Sequence, residues 1–358
     1  MRLLFTIPTL RQGGSERVIS ILTELLSERH DVAVAVQDRR ENCFYHLTST
    51  VKQIHTNSLK KNILSMIRLR KVIKGFRPDI IVSFLMQQNV ITLSASYGLG
   101  IPLILSERTS KEFYSSFKQK ILSRFGFYLY RFADLLVVQT AKINAQFKDM
   151  KDRVHVIVNP IKLPDKTCYC KRREKLITAI GRLDKNKNHR LLIQSFSRIS
   201  NDFSDWKVEI LGEGPEKNAL QKQINDLGLR DRVRLCGLTE DVFSVLDKSS
   251  IFAMPSRFEG LPNALCEAML AELPVIYSNI SGADELINPG ETGLLVKSND
   301  DGQFAESMGT LIQNQDLREK LGKNAKKHII ENFSAEKIVK QWERLFFNLL
   351  KNKSVKST

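Results

Sequence analysis

The sequence predicts an α/β chain of two doubly wound parallel-sheet domains in tandem. Three observations carry that prediction: short apolar segments bounded by turn residues, helix-length stretches between most of them, and a polar break midway after which the pattern restarts. A chain of 358 residues is long enough for two full cores, on a prior of roughly 150 residues per domain. The hydrophobic fraction is 42%, and no apolar run approaches the roughly 18 residues that would span a bilayer. A soluble or peripheral protein is therefore expected. Met1 leads straight into RLLFTIP, without the basic region, apolar core and cleavage site of a secretory signal. Five cysteines, Cys43, Cys168, Cys170, Cys236 and Cys266, lack paired metal-ligand spacing. No metal site is predicted, and a reducing cytoplasm fits this usage best.

In order, the predicted strands of the first domain are Leu3 to Pro8, Val32 to Val36, Asp79 to Phe84, Pro102 to Ser106, Leu135 to Gln139 and Val154 to Val158. Asn159, Pro160, Pro164 and the polar KTCYCKRREK read as a linker, placing domain boundaries at 1–162 and 174–334. The pattern resumes with Leu176 to Ile180, Val208 to Leu211, Val233 to Cys236, Ile251 to Pro255, Val275 to Ser278 and Gly293 to Val296. Ligands of open α/β sheets bind beyond the carboxyl ends of the strands, so two such domains facing each other are expected to form an inter-domain cleft. The stretch 335–351 is a long helical pattern with Trp342, Leu345, Phe346 and Leu349 on one side, which must be buried somewhere.

Charge is uneven. Residues 1–160 hold 24 Lys/Arg against 12 Asp/Glu, whereas the remainder holds 31 against 27. Asn42 to Pro78 carries eight bases and no acid, with Leu59, Ile63, Met66, Ile67 and Ile73 at helical spacing, which predicts a basic amphipathic helix. Arg108 to Arg131 interleaves six bases with Phe113, Tyr114, Phe117, Phe125, Phe127, Tyr128 and Tyr130. Either stretch alone is an ordinary surface helix with its apolar side in the core. Two in one half favour an anionic membrane surface, although basic charge with aromatic rings also suits nucleic acid.

The strand-to-helix loops carry the chemistry. TLRQGGSERV places Gly13 and Gly14 before a helix, where a backbone can approach a phosphate and free N–H groups meet an anion. The full G-x-G-x-x-G spacing of a dinucleotide site is absent. GRLDKNKNHR offers Arg182 and Lys187 to a diphosphate, the alternative being solvated loop charges. LGEGPEKN adds Gly212 and Gly214, and RLCGLTEDV offers the backbone of Gly237 and Leu238 to the edge of a base. MPSRFEGLPNALCEAM puts Glu259 in an entry loop and Glu267 about two turns into a helix beginning near Leu261. An extended, hydroxyl-rich ligand would need carboxylates so separated. A helix N-terminus with a nearby acid and one solvated Glu is the plainer alternative.

The ordered set GGSER, GRLDKNKN, LGEGP, CGLTEDV and FEGLPNALCEAM resembles the retaining glycosyltransferases of family 4, which have the GT-B fold, over residues 1 to about 350. The resemblance implies a nucleotide-sugar bound by the C-terminal half, with Arg182 and Lys187 on its diphosphate, Gly237 and Leu238 by the base, Glu259 at the sugar and Glu267 at the ribose. Gly212, Gly260 and Leu261 belong to the same implied donor site, and Gly13 and Gly14 would approach the diphosphate from the facing domain. The last helix, 335–351, would pack back on the N-terminal domain. It also implies a lipid-linked glycan acceptor and a peripheral place on the inner face of the plasma membrane, with no nucleic-acid partner. Family frequency favours a UDP-sugar.

The chain departs from many relatives at LILSERTS, where they carry a His. Arg108 cannot act as a base and is assigned to phosphate or sugar binding; Glu107 is assigned to acceptor contact or, equally, to helix capping. Arg182, Lys187 and helix N-termini would stabilise charge on the leaving diphosphate, so neither metal nor cofactor is expected. The resemblance implies retention by front-face attack, with Glu259 as a covalent nucleophile the alternative. A nucleotide-sugar epimerase or hydrolase on the same fold, or a non-catalytic basic anion-binding protein, are the other classes open to the sequence.

Overall fold

In the computed structural model, residues 1–11, 13–58, 63–108, 117–162, 173–239, 241–259, 261–280 and 282–356 are described. Gly260, most of the linker with Cys168 and Cys170, Phe113 and Tyr114 lie outside them. The chain divides into two compact units, Met1–Lys162 with Ala335–Thr358, and Leu163–Ser334.

The first unit holds a seven-stranded sheet of β1 (Arg2–Ile7), β2 (Asp31–Val36), β3 (Lys52–His55), β4 (Ile80–Phe84), β5 (Leu103–Glu107), β6 (Leu135–Val138) and β7 (Val154–Val156). Its order is β3-β2-β1-β4-β5-β6-β7 and every pairing is parallel. Strand side chains alternate between two cores, as the period of two requires. Leu3, Phe5, Ile7, Val34, Val82 and Phe84 face one core, and Leu4, Ala33, Ala35 and Ile81 the other.

The first core is covered by α1 (Gly14–Leu26) and the terminal helix. The second is covered by a layer of α2 (Ile63–Phe76), α3 (Met86–Ser96) and α4 (Phe117–Leu129), followed by the short α5 (Ala141–Asn144). The structure divides the apolar positions expected on α2: Ile73 is buried and Met66 packs against the core, whereas Ile63 and Ile67 are exposed, and the buried residues are Ser65, Leu69, Ile73 and Phe76. β3 has no sequence signal because it is a half-polar edge strand, KQIH.

The second unit contains β8 (Leu176–Ile180), α6 (His189–Ile199), β9 (Lys207–Leu211), α7 (Lys217–Asp226), β10 (Val233–Gly237), α8 (Val242–Lys248), β11 (Ile251–Met254), α9 (Asn263–Leu270), β12 (Val275–Ser278), β13 (Leu294–Val296), α10 (Asp301–Gln313) and α11 (Gln315–Phe333). The sheet order, β10-β9-β8-β11-β12-β13, is again parallel throughout and reverses direction between β8 and β11. That reversal opens a crevice at the carboxyl strand ends, the usual ligand position in such sheets. The chain then returns to the first unit as α12 (Ala335–Lys356), where Trp342 is fully buried, stacked on Phe84 at 6.2 Å and tilted against Phe346 at 5.8 Å. Glu343 of α12 pairs with Arg29 at 3.3 Å and His30 at 3.0 Å, at the start of β2.

Candidate active site

The loops singled out in the second unit converge on neighbouring strand ends. After β8 the chain turns through Gly181 to Asn188, where the Asp184 carboxylate accepts the backbone N–H groups of Asn186 (3.0 Å) and Lys187 (3.1 Å). Asn188, at φ 55°, closes the turn into α6. Arg182 stands out from this turn, its side chain 71% exposed, with only a 3.8 Å approach to Asp184. Lys187 points back, and its ammonium pairs with Glu259. A side chain at Gly181 would strike the stem of Lys187 at 3.1 Å and Met254 at 2.8 Å, so glycine there makes room for the lysine.

Glu259 is the convergence point. Its Oε1 accepts from Lys187 Nζ, from Ser256 Oγ at 3.0 Å and from Tyr277 Oη at 3.2 Å, and Tyr277 also donates to Ser256 at 3.2 Å. Ser256 and Tyr277 are buried. Burial, and then the neighbouring Glu259 charge, push the Tyr277 phenol well above its ordinary pKa, so it stays a donor at all physiological pH. Three donors on one oxygen orient the carboxylate and leave Oε2 for a ligand. Sequence reasoning missed both partners. The available signal was register: Tyr277 pairs with Met254, which puts its ring beside the loop after β11.

The glycines have two kinds of role. Gly212 lies at φ 146°, and a Cβ there would fall 2.0 Å from the Gly181 carbonyl oxygen; at Gly214 it would fall 2.4 Å from that of Leu183. These two let the β9 loop lie directly on the β8 loop. Gly237, at φ 73°, accepts the Gly212 N–H at 2.7 Å and turns β10 so that Leu238 emerges exposed. The ends of β10, β9, β8 and β11 are thereby joined. Arg257 N–H also donates to the Asn186 carbonyl at 2.7 Å, linking the Arg182 loop to the Glu259 loop.

Helix α9 begins at Asn263, later than expected, because Pro262 is extended (φ −77°, ψ 102°) and serves as N-cap. Glu267 is therefore little more than one turn in, and it is buried, as is Leu261. His189, at the start of α6, is buried, and among the described residues neither ring nitrogen has a hydrogen-bond partner within bonding geometry. Burial first, then the Lys187 charge, bring its pKa down to about 4 against the opposing influence of the Gly181 backbone, the Asp184 charge and the Arg182 backbone.

In the first unit, Gly13 is the extended N-cap of α1. The Glu16 carboxylate lies 2.3 Å from where a Gly13 Cβ would be, and accepts from Thr9 at 3.1 Å. Burial raises the Glu16 pKa. A carboxylate thus already occupies the helix start at Gly13 and Gly14, the position a phosphate was expected to approach.

The structure places Glu107 and Arg108 in the interior. Glu107 is the last residue of β5 rather than a loop residue, and it is fully buried. Its carboxylate accepts from Tyr130 Oη at 2.5 Å and from the Arg108 N–H at 3.0 Å, and Asn89 donates to the same phenol at 3.0 Å. A group so enclosed does not present itself to an acceptor. Arg108 is buried as well, over the Phe84 ring at 4.9 Å, donating to Ser106 at 2.8 Å and Asn159 at 2.6 Å. Burial, partly offset by Glu107, lowers its pKa to about 9. Among the described residues its Nη2 has no hydrogen-bond partner, and Leu85, whose N–H donates to the Ser106 carbonyl, holds a strained φ of 73°. This strand end retains donor capacity through Arg108, with Glu107 supporting it from below.

Comparison with known proteins gives a consistent picture. A model described as Glycosyltransferase Family 4 matches residues 12–163, and one described as Glycosyl transferases group 1 matches 170–328. A Campylobacter jejuni GalNAc-alpha-(1->4)-GalNAc-alpha-(1->3)-diNAcBac-PP-undecaprenol alpha-1,4-N-acetyl-D-galactosaminyltransferase is 28% identical, covering 96% of this chain and 98% of that protein. An Escherichia coli UDP-Gal:alpha-D-GlcNAc-diphosphoundecaprenol alpha-1,3-galactosyltransferase is 26% identical, covering 83% and 82%. Among solved structures, HepE of Anabaena, in complex with UDP and glucose, superposes with a TM-score of 0.81 at 18% identity over 97% of this chain and 100% of that one.

Proposed function

The chain belongs to the glycosyltransferases of the GT-B fold, and from that premise we propose that it moves a hexose or N-acetylhexosamine from a nucleotide-sugar to a lipid-linked glycan. The reading adds that the donor is a UDP-sugar, that the anomeric configuration is retained, and that the enzyme works at the inner face of a membrane in polysaccharide or glycan assembly. The observation that carries it is the oriented Glu259 carboxylate, paired with Lys187 and flanked by the exposed Arg182 on the joined strand ends. The names of the relatives, which act on diphosphoundecaprenol-linked sugars, support the acceptor class.

In this reading Glu259 Oε2 accepts from donor-sugar hydroxyls while its other oxygen is held by protein donors. Arg182 takes the diphosphate with its forked guanidinium, and Lys187, whose ammonium has further N–H groups, adds charge where the leaving phosphate becomes more negative. Backbone N–H groups around Asn188 at the start of α6 act in the same sense. Glu267 holds the ribose, and Gly237 and Leu238 border the base. The departing phosphate takes the acceptor hydroxyl's proton as the new bond forms on the same face. A Glu259 neutralised by lysine and held by two hydroxyls serves as a hydrogen-bond acceptor rather than a covalent nucleophile.

A thermal-shift screen with UDP-, GDP- and ADP-sugars tests the donor, since ligand binding to the native state raises the midpoint. UDP-sugars should raise it, and a shift only with GDP- or ADP-sugars would replace the base. Transfer to a diphosphopolyprenyl glycan should continue in EDTA, and loss that Mg²⁺ restores would overturn the metal-free part. Proton NMR of the product should show the donor's anomeric configuration retained.

A further inference from the structure

A cavity of about 700 Å³ lies at the other end of the second sheet from Glu259. Lys175, Trp206, Ser250 and Pro274, the residues just before β8, β9, β11 and β12, line it from the sheet. Gln313, Gln315 and Arg318 line it from the junction of α10 and α11. β8 alone is five residues long, so roughly 17 Å of strand separates this cavity from the loops of the candidate active site. A second cavity of about 490 Å³ shares Gln313 and Gln315 and continues over Thr310, Asn314 and Asp316. The two form one trough along the helix junction.

The charges of this trough are largely spent within the fold. Arg173 donates to the carbonyls of Ser249 (2.7 Å) and Ala271 (2.6 Å), just past the ends of α8 and α9, and Arg318 to those of Leu311 (2.5 Å) and Ile312 (2.9 Å) at the end of α10. Arginines so placed answer the unsatisfied carbonyls and negative dipole ends of helices. Lys175 pairs with Asp205, and Glu272 with Lys326 at 3.3 Å. Over both cavities the described lining holds four bases and four acids. An anion would meet no net positive field there, and a cation no negative one. What is left to a ligand is neutral polarity and an aromatic wall. Gln313, Asn314 and Gln315 are exposed, and Gln315 spends one amide hydrogen on Glu319 at 3.0 Å. Phe203 is half-buried, and Trp206 is buried with the Arg318 guanidinium 5.5 Å over its ring.

We propose that this trough is a second glycan-binding site, which holds a neutral oligosaccharide at the end of the second unit opposite the donor loops. A chain of sugar rings needs side chains that both give and accept hydrogen bonds, as amides do, and an aromatic ring against which the C–H face of a pyranose packs. A pocket for a cofactor or a lipid tail would be mostly apolar. Two cavities joined at a shared wall suit more than one ring, and a glycosyltransferase has glycans at hand as acceptor and product. The proposal rests on the reading of a glycan acceptor for its purpose, and its test reads binding apart from transfer.

The test is saturation-transfer NMR of the full chain with neutral oligosaccharides of glucose, of N-acetylglucosamine and of N-acetylgalactosamine, alongside UDP-sugar thermal shift on the same preparations. At least one of the three should bind saturably, and equally well in wild type and in Glu259→Ala. The Gln313→Ala/Gln315→Ala variant, altered only at exposed positions, should lose about tenfold in oligosaccharide affinity while its UDP-sugar shift stays that of wild type. Inorganic pyrophosphate at matched ionic strength should not displace the oligosaccharide. Binding of none of the three, unchanged binding by the glutamine variant, loss of binding in Glu259→Ala, or displacement by pyrophosphate would each overturn the proposal. A UDP-sugar shift without oligosaccharide binding removes the trough and leaves the proposed reaction intact. Oligosaccharide binding without a UDP-sugar shift removes the donor reading and leaves the trough.

Discussion

The carboxyl strand ends of the two units handle charge in opposite ways. In the second unit, Arg182 is open to solvent and the charged groups, Lys187 and Glu259, sit at intermediate depth, Glu259 held by partners from its own loop, from the β8 loop and from strand β12. In the first, Glu107 and Arg108 are interior groups held by Tyr130, Asn89, Ser106 and Asn159. On the reading proposed above, the difference separates two tasks, donor binding and acceptor binding. A site meeting a fixed, highly charged diphosphate benefits from charges poised at the surface. A site shaped by a variable acceptor keeps its charges as internal supports and leaves contact to donors at their margin. Buried polar groups of the second kind are costly when any partner is lost.

This contrast is best broken at Glu259. Glu259→Ala should lower transfer about 10³-fold, the scale of removing one preorganised electrostatic group, while the denaturant midpoint stays close to wild type. Normal transfer by that variant would end the assignment.

The next largest effect concerns pH. His189 is neutral in the fold with a pKa of about 4, against 6.5 for an unperturbed imidazole. Between those values the unfolded state binds the additional proton. Stability is therefore fully present above pH 6.5 and falls as the pH drops toward 4, by roughly 3 kcal/mol in all. Urea midpoints of wild type across that range should decline more steeply than those of His189→Gln, and parallel declines would show that the ring is not the source.

Tyr130→Phe sharpens the other side. It removes the donor to the buried Glu107 carboxylate and should cost about 2 kcal/mol. Donor-sugar binding, proposed for the second unit, should be unchanged. A destabilisation under about 0.5 kcal/mol would mean that the interior pair is not held as described.

The smallest effect is expected from Tyr277→Phe, about tenfold in transfer with little change in stability, because Ser256 and Lys187 still hold the carboxylate. Its loss should fall on kcat more than on the donor KM, since an oriented carboxylate matters most as charge develops. A variant indistinguishable from wild type would remove Tyr277 from the site.

These two regions also differ in how legible they were. The apolar runs around Leu3, Val32, Leu176 and Ile251 appear as strands within a residue or two, because a buried parallel strand is written as a continuous apolar segment. β3 is silent because an edge strand with one wet face has no such run. Loop spacing placed Arg182, Lys187 and Glu259 near strand ends, but local spacing cannot show that Tyr277, on the neighbouring strand, reaches Glu259. Glu107 lies one residue beyond the predicted strand end, and that extra residue of strand carries its side chain to the interior. On α2 the exposed Ile63 and Ile67 share the apolar spacing of the buried Ile73, so spacing alone does not separate the inward face from the outward one.

The last helix has a consequence for how the molecule is made. Residues 335–356 close a core whose other walls are strands translated well before them. The second unit is continuous and has all its strands before Ala335 is synthesised, so it can fold while translation proceeds. The first unit must wait, with the pocket beside Phe84 unfilled until Trp342 arrives. A chain released early, or cut after the second unit, would leave that apolar wall uncovered and exposed to aggregation, even though no residue of the first 162 had been lost.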